Sequence, residues 1–97
     1  MSKTYWVYIL KCSDGSYYTG STSDIESRIS QHQIGDFPGY TRQRRPIKLV
    51  FSDYFNDVYE AISAERQIKG WTRAKKEALI NGDFLLLKKL AKKKWKK

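Results

Sequence analysis

Six polar or phenolic side chains occupy places that plain packing does not favour. The first is Glu65, which falls in the apolar stripe Val58, Ala61, Ile62 and Ile68 of a helical segment, four residues after Ala61 and three before Ile68. Burying an unpaired carboxylate costs several kcal/mol or more, so Glu65 must be paired, protonated or bound to a cation. It can equally sit on an exposed edge of that face, or pair with Lys69 or Arg66. Arg28 and His32, the chain's only histidine, are four apart and share a helix face beside Ile25 and Ile29. Alone, they read as a surface arginine and a partly exposed histidine, and no Cys/His spacing suggests zinc. Tyr8, Tyr17 and Tyr18 lie on two adjacent strand segments. Core packing explains most strand tyrosines, yet buried hydroxyls need partners. Together, tyrosine, arginine, histidine and glutamate can supply an activated water, charge stabilisation and a metal ligand.

These residues need elements to hold them. Tyr5 to Cys12 (YWVYILKC) is apolar on both alternating faces, the pattern of a strand inside a sheet covered on both sides. Ser13-Asp14-Gly15-Ser16 contains Asp-Gly, a strong hairpin signal, and Ser16 to Thr19 is the returning strand, ended by Gly20. Ser21, Thr22 or Ser23 is expected to cap a helix over about Asp24 to Ile34, which stops before Gly35. Residues 35–46 form a loop with two glycines, two prolines and Arg42, Arg44 and Arg45. Ile47 to Phe55 reads as a third strand, with Ile47, Leu49 and Phe51 on one face. Helices then cover about Asp57 to Lys69, ending at Gly70, and the stretch from a Thr72 cap to Asn81-Gly82. A last helix starts at an Asp83 cap, with Phe84, Leu86, Leu87 and Leu90 on its apolar side. The order β-β-α-β-α-α-α has no βαβαβ alternation, so the expected class is α+β, an antiparallel sheet flanked by helices.

Length and charge bound the rest. The chain has 97 residues, room for one modest core. Residues 1–82 are expected to form the folded domain and 83–97 a lysine-rich helix or tail packed on it or extending from it. The formal charge is +9, but residues 88–97 hold seven lysines and no acid, while the preceding 87 residues hold 12 basic and 10 acidic residues. The excess invites an anionic partner, nucleic acid foremost, and a terminal lysine run by itself says only that anions are attracted. The one cysteine, Cys12, excludes an intrachain disulfide and fits a buried strand residue in a reducing compartment. No apolar run reaches the length of a membrane span and Met1 to Tyr5 lacks a secretory pattern, so a cytoplasmic protein with no membrane partner is expected.

In their order, WVYIL, the YTG of Tyr18-Thr19-Gly20, Arg28, His32 and Glu65 resemble the GIY-YIG nuclease superfamily over roughly residues 5–80. LKCSDGSYYTG, YTRQRRP and QIKGWTRAKKEALI look like its small standalone bacterial members, which are related to the nuclease domain of an excision-repair protein. The resemblance implies a three-stranded antiparallel sheet with helices around it, and metal-dependent hydrolysis of phosphodiesters, usually in DNA and linked to repair or processing. It implies Tyr8, Tyr18, Arg28, His32 and Glu65 as catalytic residues, Glu65 as the ligand of one Mg²⁺ or Mn²⁺, and Gly20 as a glycine that lets the backbone turn tightly beside the site. Trp6-Val7-Tyr8 stands where the family name has Gly-Ile-Tyr, and Thr19 stands for isoleucine. Asn81 is offered as the counterpart of a late asparagine found in many members.

On that reading Arg28 stabilises the pentavalent phosphate and Tyr8 orients or deprotonates the attacking water. A tyrosine with an ordinary pKa near ~10 is a poor base, so Lys11, Arg28 or the metal would have to assist it. Tyr18 and His32 complete the pocket. Arg42, Arg44, Arg45 and Lys69, with Tyr40 alongside, are expected to contact backbone phosphates of DNA, or of RNA, without reading sequence; the alternative for the arginine loop is a solvated loop. A monomer with no organic cofactor is expected. The competing functions are a non-catalytic DNA- or RNA-binding module on the same fold, and an adaptor that docks through the lysine tail.

Overall fold

A computed structural model describes residues 3–90. The lysine-rich run therefore lies largely outside the described residues. The elements are β1 (Tyr5–Lys11), β2 (Tyr17–Thr22), α1 (Ile25–Ile34), a 3₁₀ turn (Arg42–Arg44), β3 (Lys48–Phe55), α2 (Val58–Lys69), α3 (Arg73–Ile80) and α4 (Phe84–Leu90). The strands form one antiparallel sheet in the order β2-β1-β3, so the class and element order are as expected.

β1 is central because both of its faces are apolar. Val7 and Ile9 face α2, α3 and α4 in one cluster with Ala61, Ala64, Ile68, Ala78, Leu79 and Leu87. Tyr8, Leu10 and Cys12 face α1 in a second cluster with Ile47, Tyr18, Ile25 and Ile29. On α2 the buried stripe is Ala61, Ala64 and Ile68; Ile62, expected in it, is exposed. Of the expected apolar side of α4, Leu87 is buried, whereas Phe84 and Leu86 are about two-fifths exposed.

Three local expectations are corrected. β2 does not end before Gly20 but runs to Thr22, with Gly20 paired opposite Tyr8. The cap of α1 is Asp24, whose carboxylate accepts from Ser27 N at 3.1 Å, and not Ser21, Thr22 or Ser23. An aspartate on a helix N-terminus also meets the positive end of the helix dipole. Ile47, Leu49 and Phe51 do not share a face, because the β1–β3 register shifts between Ile9 and Leu10. That bulge sends Phe51 to the α2 side and Ile47 to the α1 side, and leaves Leu49 exposed. The caps Thr72 and Asp83 are as expected.

Candidate active site

Tyr8 stands on the central strand and its ring is wholly buried. It can reach the sheet's outer edge because its neighbour on β2 is Gly20. A Cβ on Gly20 would lie 2.5 Å from Tyr8 Oη and 2.7 Å from Tyr8 Cζ. Gly20 is thus needed for close approach within a strand, and not for the tight turn that the family resemblance implied.

Behind Tyr8 runs a buried polar chain. Tyr8 Oη lies 2.9 Å from His32 Nε2, and His32 Nδ1 lies 2.7 Å from Thr41 Oγ1. His32 and Thr41 are both fully buried. The Tyr18 ring lies 5.2 Å from His32 and 6.4 Å from Tyr8. Phe37 closes the far side, 4.3 Å from the imidazole, with the Arg28 guanidinium 4.7 Å above its ring. Burial pushes the Tyr8 hydroxyl up to about 12 against the opposing pull of Arg28. Burial, seconded by the Arg28 charge, holds His32 down at about 4, so the imidazole is neutral. Burial likewise raises Tyr18.

Glu65 arrives from the opposite face of the sheet. Ser21, one residue past Gly20, is paired with Val7 and so turns its side chain to the α2 face. There its hydroxyl donates to Glu65 Oε1 at 2.5 Å. Its carbonyl oxygen accepts from Arg28 Nη1 at 3.3 Å. One residue on the edge strand thus ties the arginine of α1 to the glutamate of α2. Lys69 Nζ lies 2.8 Å from Glu65 Oε2. Burial would lift the Glu65 carboxyl, but hydrogen bonds from Lys69 and Ser21 outweigh it and keep the group below its ordinary range. Glu65 is thus ionised, half-buried and paired with Lys69, one of the alternatives its spacing left open.

Tyr8, Tyr18, Arg28, His32 and Glu65 therefore gather around β2 at Gly20 and Ser21. The gathering brings together a neutral phenol, a guanidinium and a carboxylate, with a neutral imidazole behind them. Such a set can hold a phosphodiester by charge and orient water toward it. The chain matches the family model described as the GIY-YIG catalytic domain over residues 4–78. The chain belongs to the GIY-YIG family. GIY-YIG domains make up a nuclease superfamily, which gives the general activity class of an endonuclease. A UPF0213 protein of Lacticaseibacillus paracasei is 42% identical over 79 residues, covering 81% of this chain and 89% of the relative. One from Halobacterium salinarum is 47% identical over 74 residues, covering 76% and 96%. The solution NMR structure of a UPF0213 protein from Bacillus halodurans superposes with a TM-score of 0.55 at 44% identity, over 80% of this chain and 83% of that one.

Within this GIY-YIG domain the remaining candidates divide. Tyr40 stacks on Tyr18 at 6.2 Å, its ring planes 22° apart, and the Arg44 guanidinium covers Tyr40 at 3.8 Å. Arg44 also pairs with Asp14 of the hairpin at 3.2 Å and donates to Tyr40 O at 2.8 Å. Arg45 donates to Arg42 O at 3.0 Å and to Gln33 O at 3.5 Å. Neither is the loosely solvated side chain that a basic loop suggests; both shape the loop that carries Thr41. Arg42 is exposed on the same turn. Asn81 is exposed at the C-terminal end of α3. None of the site's hydrogen bonds, ion pairs or ring contacts among the described residues involves it. Lys11 is exposed at the end of β1, and the positive charge acting on Tyr8 is that of Arg28.

Thr41, Phe37 and Ser21 escaped the sequence reading. Ser21 carried a weak signal, as a polar residue one step past the signature glycine. Thr41 and Phe37 carried none, because their contacts depend on how the 35–46 loop folds back on α1.

GIY-YIG nucleases generally use divalent metal ions, and the donors here fit one sparingly. Glu65 is ionised and offers hard oxygen. Among the described residues no group of three or more His, Cys, Asp or Glu side chains is placed to hold a metal. An ion on Glu65 would take its other ligands from water and phosphate, as Mg²⁺ commonly does.

Proposed function

We propose that this protein is a metal-dependent endonuclease that hydrolyses phosphodiester bonds in DNA, selecting its substrate by structure rather than sequence, in repair or processing. The observation that carries this reading is the meeting of an ionised Glu65, Arg28 and the Tyr8 hydroxyl across the glycine-opened edge of β2. Arg28 binds the scissile phosphate and stabilises the charge that develops on it. Glu65 would hold the Mg²⁺ or Mn²⁺, which would supply positive charge against that developing in phosphodiester hydrolysis. Tyr8 orients the attacking water. With a pKa about 12, roughly one Tyr8 in 100,000 is ionised at pH 7, so in the resting site it positions and does not deprotonate. Burial raises Tyr8 and lowers His32, so handing the proton from one to the other is disfavoured on both sides. His32 therefore holds the Tyr8 hydroxyl in place. Tyr18 lines the pocket, and Tyr40, Arg42 and Lys69 would contact backbone phosphates of the bound strand. Nothing in the sequence resembles a major-groove recognition helix, which favours selection by backbone shape.

The test is cleavage of flapped, branched, duplex and single-stranded DNA, and of matched RNA, with Mg²⁺ or Mn²⁺. Wild type is expected to cut at least one DNA structure and Glu65→Gln to bind it without cutting. If both proteins bind yet are equally inert on every substrate, the domain is a binding module and the nuclease reading fails.

A further inference from the structure

The position a metal would take on Glu65 already has a cation beside it. Oε1 accepts the Ser21 hydroxyl at 2.5 Å, and Oε2 accepts the Lys69 ammonium at 2.8 Å. We propose that Lys69 is a resident counter-ion: it covers Glu65 Oε2 in the metal-free protein, yields that oxygen to a divalent cation, and then pairs with a phosphate of the nucleic acid. The proposal rests on the reading of Glu65 as the metal-binding carboxylate.

The two donors on Glu65 are not equally able to leave. Ser21 has a short side chain on a paired strand position opposite Val7. Lys69 has a flexible four-carbon stem in the last turn of α2, and its side chain is 52% exposed. The pair is an i,i+4 contact, a kind that holds weakly and reforms easily. A carboxylate-bound Mg²⁺ sits about 2.1 Å from its oxygen, so an ammonium kept on the same oxygen would face two positive charges at close range. Departure of Lys69 relieves that repulsion and leaves Ser21 to hold Oε1.

The displaced ammonium has a destination. In the resting site the Lys69 charge acts on the Tyr18 hydroxyl as well as on Glu65. It therefore lies near enough to both the carboxylate and Tyr18 to meet a phosphate held beside them. Two consequences follow from this one side chain. Without nucleic acid, Lys69 competes with the metal and keeps its affinity low. With nucleic acid present, a phosphate draws Lys69 away from Oε2, so metal and nucleic acid each strengthen the other's binding by the same factor. The metal-free protein meanwhile never carries an unpaired half-buried carboxylate.

The experiment is Mn²⁺ binding followed by electron paramagnetic resonance of the free ion, with wild type, Lys69→Gln, Lys69→Met and Glu65→Gln. Each is measured alone and with a flapped DNA duplex. Both Lys69 variants are expected to bind Mn²⁺ about two- to five-fold more tightly than wild type in the absence of DNA, the size of an exposed ion pair. The duplex is expected to tighten Mn²⁺ binding in wild type by a larger factor than in either variant. Mn²⁺ affinity that is unchanged or weaker in both variants, while Glu65→Gln abolishes binding, overturns the role of Lys69 and leaves the nuclease reading intact. Mn²⁺ binding that survives Glu65→Gln undiminished overturns both. Matching thermal unfolding of the two Lys69 variants with wild type excludes a folding effect.

Discussion

His32 has the surroundings of a side chain chosen to stay neutral. It is fully buried among Tyr8, Tyr18, Phe37 and Thr41, and both ring nitrogens have a hydroxyl within hydrogen-bond reach. Its folded pKa, about 4, lies below the ordinary value near 6.5. The unfolded chain therefore binds one proton more than the native protein between those values. Stability is at its full level above the unfolded pKa and is lost as pH falls toward the folded one. From pH 7 to pH 5 the loss expected from this one ring is about 2 kcal/mol. Urea unfolding of wild type and His32→Gln at both pH values checks it, since the variant should lack that part of the pH dependence even if its overall stability is lower. A histidine signal titrating near 6.5 in the folded protein would refute the buried neutral ring. The histidine was visible in the sequence as the only one in the chain, four residues after an arginine. What was not visible was its burial, because Thr41 and Phe37 come from a loop with no periodic pattern.

The element that matters most is β2, an edge strand that the site uses on both faces. Its glycine makes room for Tyr8 from one side, and its next residue anchors Glu65 on the other. Gly20→Ala offers a clean contest between two effects. Alanine is favoured over glycine in a strand by about 0.5–1 kcal/mol through lost unfolded-state freedom. Against that, the new Cβ meets a fully buried, hydrogen-bonded tyrosine at 2.5 Å, and forced repacking of this kind costs about 1–3 kcal/mol. The clash should win. A lower unfolding midpoint is expected together with loss of cleavage, and an unchanged midpoint would mean that Tyr8 moves freely. The sequence marked Gly20 but assigned it to the wrong structure, since a glycine after a short hairpin arm reads as a terminator. Only the pairing with β1 shows the strand continuing. The same limit hid the bulge beside Leu10, which separates Ile47 from Phe51, because a register shift belongs to two strands at once. By contrast the helices were legible from local signals, for example the Thr72 cap on α3 and the Gly35 stop after α1, although the cap of α1 was read one to three residues early.

At the scale of the molecule, the formal charge of +9 divides between a nearly balanced body and a lysine-rich end. In the body, Arg44 and Arg45 commit donors to the hairpin and to their own loop, so these two arginines are tied to the fold rather than held out toward a strand. Salt dependence of binding reads the split. Replacing Lys92, Lys93, Lys94, Lys96 and Lys97 by serine should reduce the slope of log affinity against log salt by about 0.9 for each duplex phosphate they neutralise. Cleavage at saturating substrate should be unchanged. A variant with the wild-type slope would show that the body alone carries the electrostatics. Composition revealed this partition at once; the assignment of the loop arginines to internal contacts needed the three-dimensional path of residues 35–46.

The tie that Ser21 makes across the edge strand has a consequence for a chain still being synthesised. Tyr8, Tyr18 and Arg28 emerge early, on the first two strands and the first helix, whereas Glu65 emerges only with the second half of α2. Until that helix is made, the face of the central strand that carries Val7 and Ile9 lacks α2 and the carboxylate of Glu65 does not exist. On the proposed function, a partly translated or prematurely ended copy therefore has the groups proposed to hold a phosphate and lacks the carboxylate proposed to hold the metal. On that function, competence to cut waits for α2, and the core that α2 shares with Ala78, Leu79 and Leu87 closes later still.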